Sequence, residues 1–241
     1  MDVKRVLLFS YLCCRRALDD TIAFSIGELC LWSYMKPNRQ EGKINQKYIE
    51  LLNHISNKQY FIECPDFSTL SYADISKYYC MSANIEKFDK QKAFGMIYFF
   101  ELQKILNFKE ELKDKDINLE RITSGHILLL LSYIRMNMNR DEKKPLCCYR
   151  LYEKISNDIG ISERYIGRIV EILDVLKIIK IKEAMRTRYK DKTGKLCFHT
   201  APKVFADYEK RDTNGEYISE YDCDKEIANQ IEILNKSRKE K

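Results

Sequence analysis

The stretch 151–181, LYEKISNDIGISERYIGRIVEILDVLKIIKI, constrains the fold more than any other part of the chain. Its periodicity predicts a helix over Tyr152–Ile159, a turn at Gly160, and a second helix that is N-capped by Ser162 and runs to about residue 176. With so short a connection, the two helices must cross steeply if Ile155, Ile159, Ile166, Ile169, Val170 and Leu173 are to share one core. That packing leaves Ser162, Glu163, Arg164, Tyr165 and Arg168 on the outward side of the second helix.

Beyond it, 178–182 and 196–200 are β-prone and flank a segment containing Asp191 and Gly194, which predicts a hairpin with an extended basic tip. Residues 180–195 carry seven positive charges, Lys180, Lys182, Arg186, Arg188, Lys190, Lys192 and Lys195, against two negative ones, Glu183 and Asp191. That excess exceeds what solubility requires and suits phosphate contact beside or in a minor groove. An arginine pair four residues apart on a helix is by itself an ordinary solvated face. Arg164 and Arg168 gain weight as readers of DNA because the basic hairpin follows them.

Only 8 Gly and 4 Pro interrupt 241 residues, so the chain is expected to be mainly helical with small β-hairpins, an α+β fold, and long enough for two cores. A first helix is read over 3–17. Ser25, with Glu28 three residues on, forms a capping-box pattern for a second helix over 26–35. A turn over 36–43 carries Lys36, Arg39 and Lys43, and a third helix over 44–57 has Ile44, Tyr48, Leu51, Leu52 and Ile55 at helical spacing. Lys43, Asn45, Gln46, Lys47 and Tyr48 are its candidate DNA-reading positions. Strands are expected at 60–64 and 94–100, on either side of a tyrosine-rich insertion over 68–92. A short helix over 101–108 grades into a solvated charge run over 109–116. A strongly apolar helix then starts at Thr123 or Ser124 and ends near residue 138, and Ile227, Ile231 and Leu234 mark a weak terminal helix.

The stretch 155–162, I-S-x-x-I-G-I-S in pattern, and the run from Leu173, L-x-x-L-K-I-I-K-I, resemble the helix-turn-helix and wing entry of winged-helix regulators. The resemblance implies two winged helix-turn-helix domains in tandem: an N-terminal one over 1–108, a linker over 109–120, a C-terminal DNA-binding one over 121–208 and a charged tail over 209–241. That order looks like the architecture of replication initiators from plasmids and phages of low-GC bacteria. It implies double-stranded DNA as the partner, two halves gripping successive major grooves of an origin repeat, dimerisation through the N-terminal half, and contact with host replication proteins. Two further readings stay open. One is a transcriptional regulator with a DNA-binding and a dimerisation domain, and the other is a replisome or partition adaptor whose N-terminal domain binds protein.

No sequence feature argues for an enzyme, a cofactor or a metal. His54, His126 and His199 are scattered, no G-x-x-x-x-G-K-[ST] phosphate loop occurs, and Asp19, Asp20, Asp114 and Asp116 read as charged loop residues. The nine cysteines include the adjacent pairs Cys13-Cys14 and Cys147-Cys148 and no C-x-x-C repeat, so reduced, mostly buried thiols are expected, without disulfides. Arg15 and Arg16 interrupt the apolar run 6–14 before a cleavage site, and the run 127–134 falls short of the ~20 residues of a membrane span. The expected location is therefore the cytoplasm, away from membranes. The net charge of +6 permits nucleic-acid binding.

Overall fold

The computed structural model describes residues 3–32, 43–67, 76–89, 97–139, 141, 143–186, 188–190, 193, 195–198, 200–211 and 216–239. The side chains of 32, 43–45, 88–89, 188–190, 197–198 and 238–239 are outside the description. The fold is α+β, with helices joined by small antiparallel sheets. Two compact units are present, one formed by 1–106 with 123–129 and the other by 107–122 with 130–241.

In the first unit the order is α1 (Val3–Cys14), β1 (Thr21–Phe24), α2 (Ile26–Trp32), α3 (Lys43–Ser56), β2 (Phe61–Ile62), β3 (Tyr79–Ala83), α4 (Ile85–Asp89) and α5 (Phe99–Leu106). The strands lie in the order β1-β3-β2, all antiparallel, with Ile22 opposite Met81 and Phe61 opposite Ala83. Leu8, Leu12, Ile22, Phe24, Leu52 and Met81 are among the residues that close one core. The Ser25 hydroxyl accepts the Glu28 amide at 3.1 Å, as the capping pattern requires. The Glu28 carboxylate faces Arg15 at 3.2 Å and accepts the Tyr78 hydroxyl at 3.3 Å.

Two sequence expectations fail here. The segment expected as a strand over 94–100 enters helix α5 at Phe99, and 94–96 lie outside the described residues. Aromatic β-propensity loses to the helical stripe Leu102, Ile105 and Leu106, and the buried Glu101 carboxylate accepts the Tyr98 amide at 3.0 Å, capping the helix. The tyrosine-rich insertion contains β3, the middle strand of the sheet, where Tyr79, Met81 and Ala83 alternate inward.

In the second unit, α6 (Phe108–Glu111) buries Phe108, and Leu112 just after it is also buried, so the charge run 109–116 is anchored rather than wholly solvated. α7 (Ser124–Met136) gives its first turns to one unit and the rest to the other. There follow β4 (Cys148–Arg150), α8 (Tyr152–Ile159), α9 (Glu163–Val175), β5 (Ile179–Glu183), the short pair β6 (Arg188–Lys190) and β7 (Leu196–Phe198), β8 (Lys203–Asp207) and α10 (Cys223–Lys239). The main sheet runs β4-β8-β5, and β6 pairs only with β7. The expected hairpin between 178–182 and 196–200 is therefore replaced by two nested ones. β5 pairs with β8 in register Ile181 to Phe205, and the ribbon of β6 and β7 is an excursion between them. The physical reason is burial: Val204, Phe205 and Ala206 are core residues, whereas Leu196 is exposed.

α10 is a helix of 17 residues whose Ile227, Ile231 and Leu234 pack on Cys147, Val204 and Ala206. On the opposite face of β8, Nε and Nη2 of the buried Arg135 both donate to one oxygen of Asp207, at 2.9 and 2.7 Å. Among the described residues no helix is long and apolar enough to cross a membrane. Arg135 is buried and Asp207 half-buried, so Arg135→Ala removes two charge-assisted hydrogen bonds from a partly desolvated carboxylate and should lower unfolding stability by about 2 kcal/mol in urea titrations. A loss below about 1 kcal/mol, the range of an exposed pair, excludes that role for Arg135.

Candidate nucleic-acid interface

Local rules build the α8–α9 corner. α8 ends at Gly160, which adopts φ 72° and ψ 23°, a left-handed conformation that costs an L side chain roughly 1–2 kcal/mol. Its amide reaches the Ser156 carbonyl at 2.8 Å. Ile161 tucks inward, and the backbone of Ser162 caps α9 by accepting the Tyr165 and Ile166 amides at 2.9 and 3.0 Å. The Ser162 side chain makes no capping bond and is exposed, so its hydroxyl faces outward. Ile166, Ile169, Val170, Ile172 and Leu173 turn into the core.

The opposite arc of α9 presents Arg164, Arg168 and Glu171. The Arg168 guanidinium lies 5.8 Å from the centroid of the Tyr165 ring, a cation–π contact that restricts its rotamers. Ser162, Glu163, Arg164, Tyr165 and Arg168 thus lie together on the first turns of one exposed helix, on the end where the helix dipole favours an anion.

The four wing cations whose side chains are described, Lys180, Lys182, Arg186 and Lys195, do not form one surface. Strand alternation places Lys180 and Lys182 beside Ala206 and Val204, on the face of the sheet that α10 covers. Both ammonium groups bond to Asp224 in the first turn of α10, Lys182 at 2.5 Å. Lys180 also sits 5.6 Å from the Tyr208 ring, whose hydroxyl donates to Asp174 at 2.6 Å. Arg186 donates to Glu183 at 3.0 Å, and Lys203 pairs with the same carboxylate. Lys195 is exposed beside β7. Arg188 and Lys190 belong to β6 by backbone, with side chains outside the description, and Lys192 lies outside the described residues.

In the first unit, Gln46 and Lys47 are exposed on α3, and the Gln46 amide reaches Glu50 at 3.4 Å. Tyr48, expected as a reading position, is instead 0% exposed within the core, because it shares the inward stripe of Leu51, Leu52 and Ile55. The side chains of Lys43 and Asn45 are outside the description, and Lys36 and Arg39 lie outside the described residues.

The scattered histidines have separate local contacts. Arg5 contacts His54 at 3.2 Å, and the His126 Nδ1 accepts the Thr123 amide at 3.2 Å at the start of α7. His199 lies outside the described residues. Asp19 accepts the Thr21 amide in a turn, and Asp20 pairs with Arg16. The described cysteines are free thiols; burial pushes Cys13, Cys147 and Cys148 up to about 12, which leaves them unreactive near neutrality.

Sequence reasoning missed Asp224 and Tyr208. The available signal was the spacing Ile227, Ile231 and Leu234, which sets α10 against an apolar partner, with acidic residues in its first turn. Compared with models of protein families, with curated proteins and with solved structures, the chain matches none.

Hydrogen bonds first from Lys180 and then from Lys182 hold the Asp224 carboxyl down at about 2. A depressed folded-state value means that this contribution is full above the unfolded value near 4 and is lost as pH falls through about 2. The stability difference between the parent chain and Asp224→Asn should stay constant above about pH 5 and shrink between about pH 4 and 2. A difference that stays flat through that window rules out the clasp between β5 and α10.

Proposed function

We propose that this chain is a sequence-specific double-stranded DNA-binding protein built from two winged helix-turn-helix units in tandem, and that it serves as a replication initiator of a plasmid or phage. The observation that carries the reading is the repetition of one topology. α1-β1-α2-α3-β2-β3 and α7-β4-α8-α9-β5-β8 follow the same order, and in both sheets the last strand lies between the other two. In the second series the insertion between the last two strands is the basic ribbon of β6 and β7, the position of a wing.

On this reading α9 enters the major groove, and Ser162, Arg164, Tyr165 and Arg168 meet base edges and phosphates. The cation–π contact of Arg168 limits the entropy lost when its planar fork engages a guanine. The ribbon takes the phosphates alongside. α3, with Gln46 and Lys47 exposed, is the second reading helix, so the two units span successive grooves of one site. Lys180 and Lys182 serve the fold through Asp224 and have a smaller part in binding. The protein works in the cytoplasm, where such DNA is found, and uses no enzymatic step.

Selection of bound duplexes from a random pool, followed by affinity measurements at two salt concentrations, tests the reading. A directional site of roughly two helical turns is expected. A palindrome read by one helix per chain points instead to a transcriptional regulator. Salt-dependent binding without sequence enrichment is the behaviour of a phosphate-gripping adaptor. On the selected site, Arg164→Ala and Arg168→Ala should each weaken binding by about 1–3 kcal/mol, whereas lysine changes in the ribbon weaken binding to all sequences alike. Parental affinity in both arginine variants removes α9 as the reading helix.

A further inference from the structure

One end of the main sheet gathers three cations around a single carboxylate. Arg150 closes β4, Lys203 opens β8 and Glu183 closes β5, and the register sets them in a row, Arg150 opposite Lys203 and Lys203 opposite Glu183. Side chains in such a row share a face, where like charges placed opposite each other repel. Arg186, just beyond β5, donates to the Glu183 carboxylate at 3.0 Å, and the Lys203 ammonium bonds its other oxygen. Hydrogen bonds first from Lys203 and then from Arg186 hold the Glu183 carboxyl below the usual carboxylate range, so it is charged at neutral pH. Other contacts also keep this end of the sheet in place. The Lys203 ammonium lies 5.5 Å from the Tyr152 ring, and the Ala184 amide donates to the Pro202 carbonyl at 3.0 Å. The Arg186, Glu183 and Lys203 side chains are 68%, 34% and 25% exposed, so the cluster is open to a ligand. Exposed pairs of this kind add little to stability. What the carboxylate offers is the chemistry of a phosphate, anionic oxygens that take a guanidinium and an ammonium together.

We propose that Glu183 is an internal phosphate mimic: its carboxylate occupies Arg186 and Lys203 in the free chain and competes with the DNA backbone for them, restraining binding to every sequence. The inference rests on the DNA-binding reading of the second unit and adds a restraint to it rather than a contact. A backbone phosphate that reaches the cluster must displace the carboxylate or lie beside it, and a like charge beside a phosphate costs affinity. The restraint falls on the phosphate contacts, which supply nearly all of non-specific binding, and leaves the base-edge contacts of α9 untouched. A genome offers far more wrong sites than right ones, so a chain that grips phosphates less firmly leaves the wrong sites sooner.

The test uses the full chain and two duplexes, the one recovered by selection and a scrambled one of the same length, with affinity measured at several salt concentrations. Glu183→Gln removes the charge and keeps the shape. It should tighten binding to both duplexes by about fivefold at low salt and steepen the slope of log K against log salt by about one, the signature of one more phosphate contact. Adding Lys203→Gln to Glu183→Gln should return affinity and slope close to the parent's. Should the glutamine amide disturb the strand end, seen as a lowered thermal midpoint, Glu183→Ser removes the same charge without an amide and is read in the same way. Unchanged or weaker binding to the scrambled duplex by the folded variants overturns the mimic, leaves DNA binding standing and makes Glu183 a staple of the strand end. A gain confined to the selected duplex also overturns it, because the effect then lies in base reading. A parent chain that binds neither duplex removes both readings.

Discussion

Strand β8 must be covered on both faces, and the second unit is arranged around that requirement. Val204, Phe205 and Ala206 are consecutive and all buried, although neighbouring side chains on a strand point in opposite directions. On one side Phe205 lies opposite Cys148 and Ile181, and Asp207 follows on the same face. A carboxylate there loses part of its hydration, and the convergent hydrogen bonds of Arg135 compensate for it. On the other side Val204 and Ala206 remain wet unless the chain returns, and α10 is that return. Lys180 and Lys182 share this second face, and the Asp224 carboxylate bonds to both where α10 begins, offsetting one of their two charges. One strand therefore accounts for a buried ion pair, a terminal helix and a two-lysine clasp.

The parts of the fold that were legible in the sequence are those whose information is local. Ser25 capping α2, Gly160 ending α8 and the apolar stripe of α9 each lie within a few residues of the structure they specify. Short strands carry less local information. Thr21–Phe24 and Cys148–Arg150 are only four and three residues long, too short for an alternating pattern to stand out, and their strand identity comes from partners far away in sequence, β3 and β8. The misassigned hairpin shows the same limit: both 196–198 and 203–207 are β-prone, and only the choice of partner decides which joins the main sheet. Tyr48 marks a different limit. Tyrosine suits either a core or a reading face, but the spacing of Tyr48 with Leu51, Leu52 and Ile55 already assigns it to the apolar stripe, and the stripe prevails.

Charge counting along the sequence treats every cation as equivalent, and the sheet separates them. Lys180 and Lys182 are held by Asp224, and Arg186 and Lys203 share Glu183, whereas Lys195 is exposed beside β7. The paired group stabilises the unit and holds its charge near the sheet. Cations held by carboxylates of the fold and an exposed one, Lys195, thus occur within a single run of sixteen residues, 180–195.

The two units repeat a topology but not its covering. In β3, Tyr79, Met81 and Ala83 are buried while Cys80 is exposed and Ser82 half-exposed, the alternation of a sheet packed on one face. In β8 the alternation is lost because α10 packs on the second face. A sheet covered once can shift against its helices at the cost of one interface, whereas a sheet held between α10 and the α7–α9 layer must break two. The corner that presents Arg164 and Arg168 is built on the doubly covered sheet. α9 packs against β5 and buries Ile166, Ile169, Val170, Ile172 and Leu173, so the backbone that carries Arg164 and Arg168 is set by a packed core.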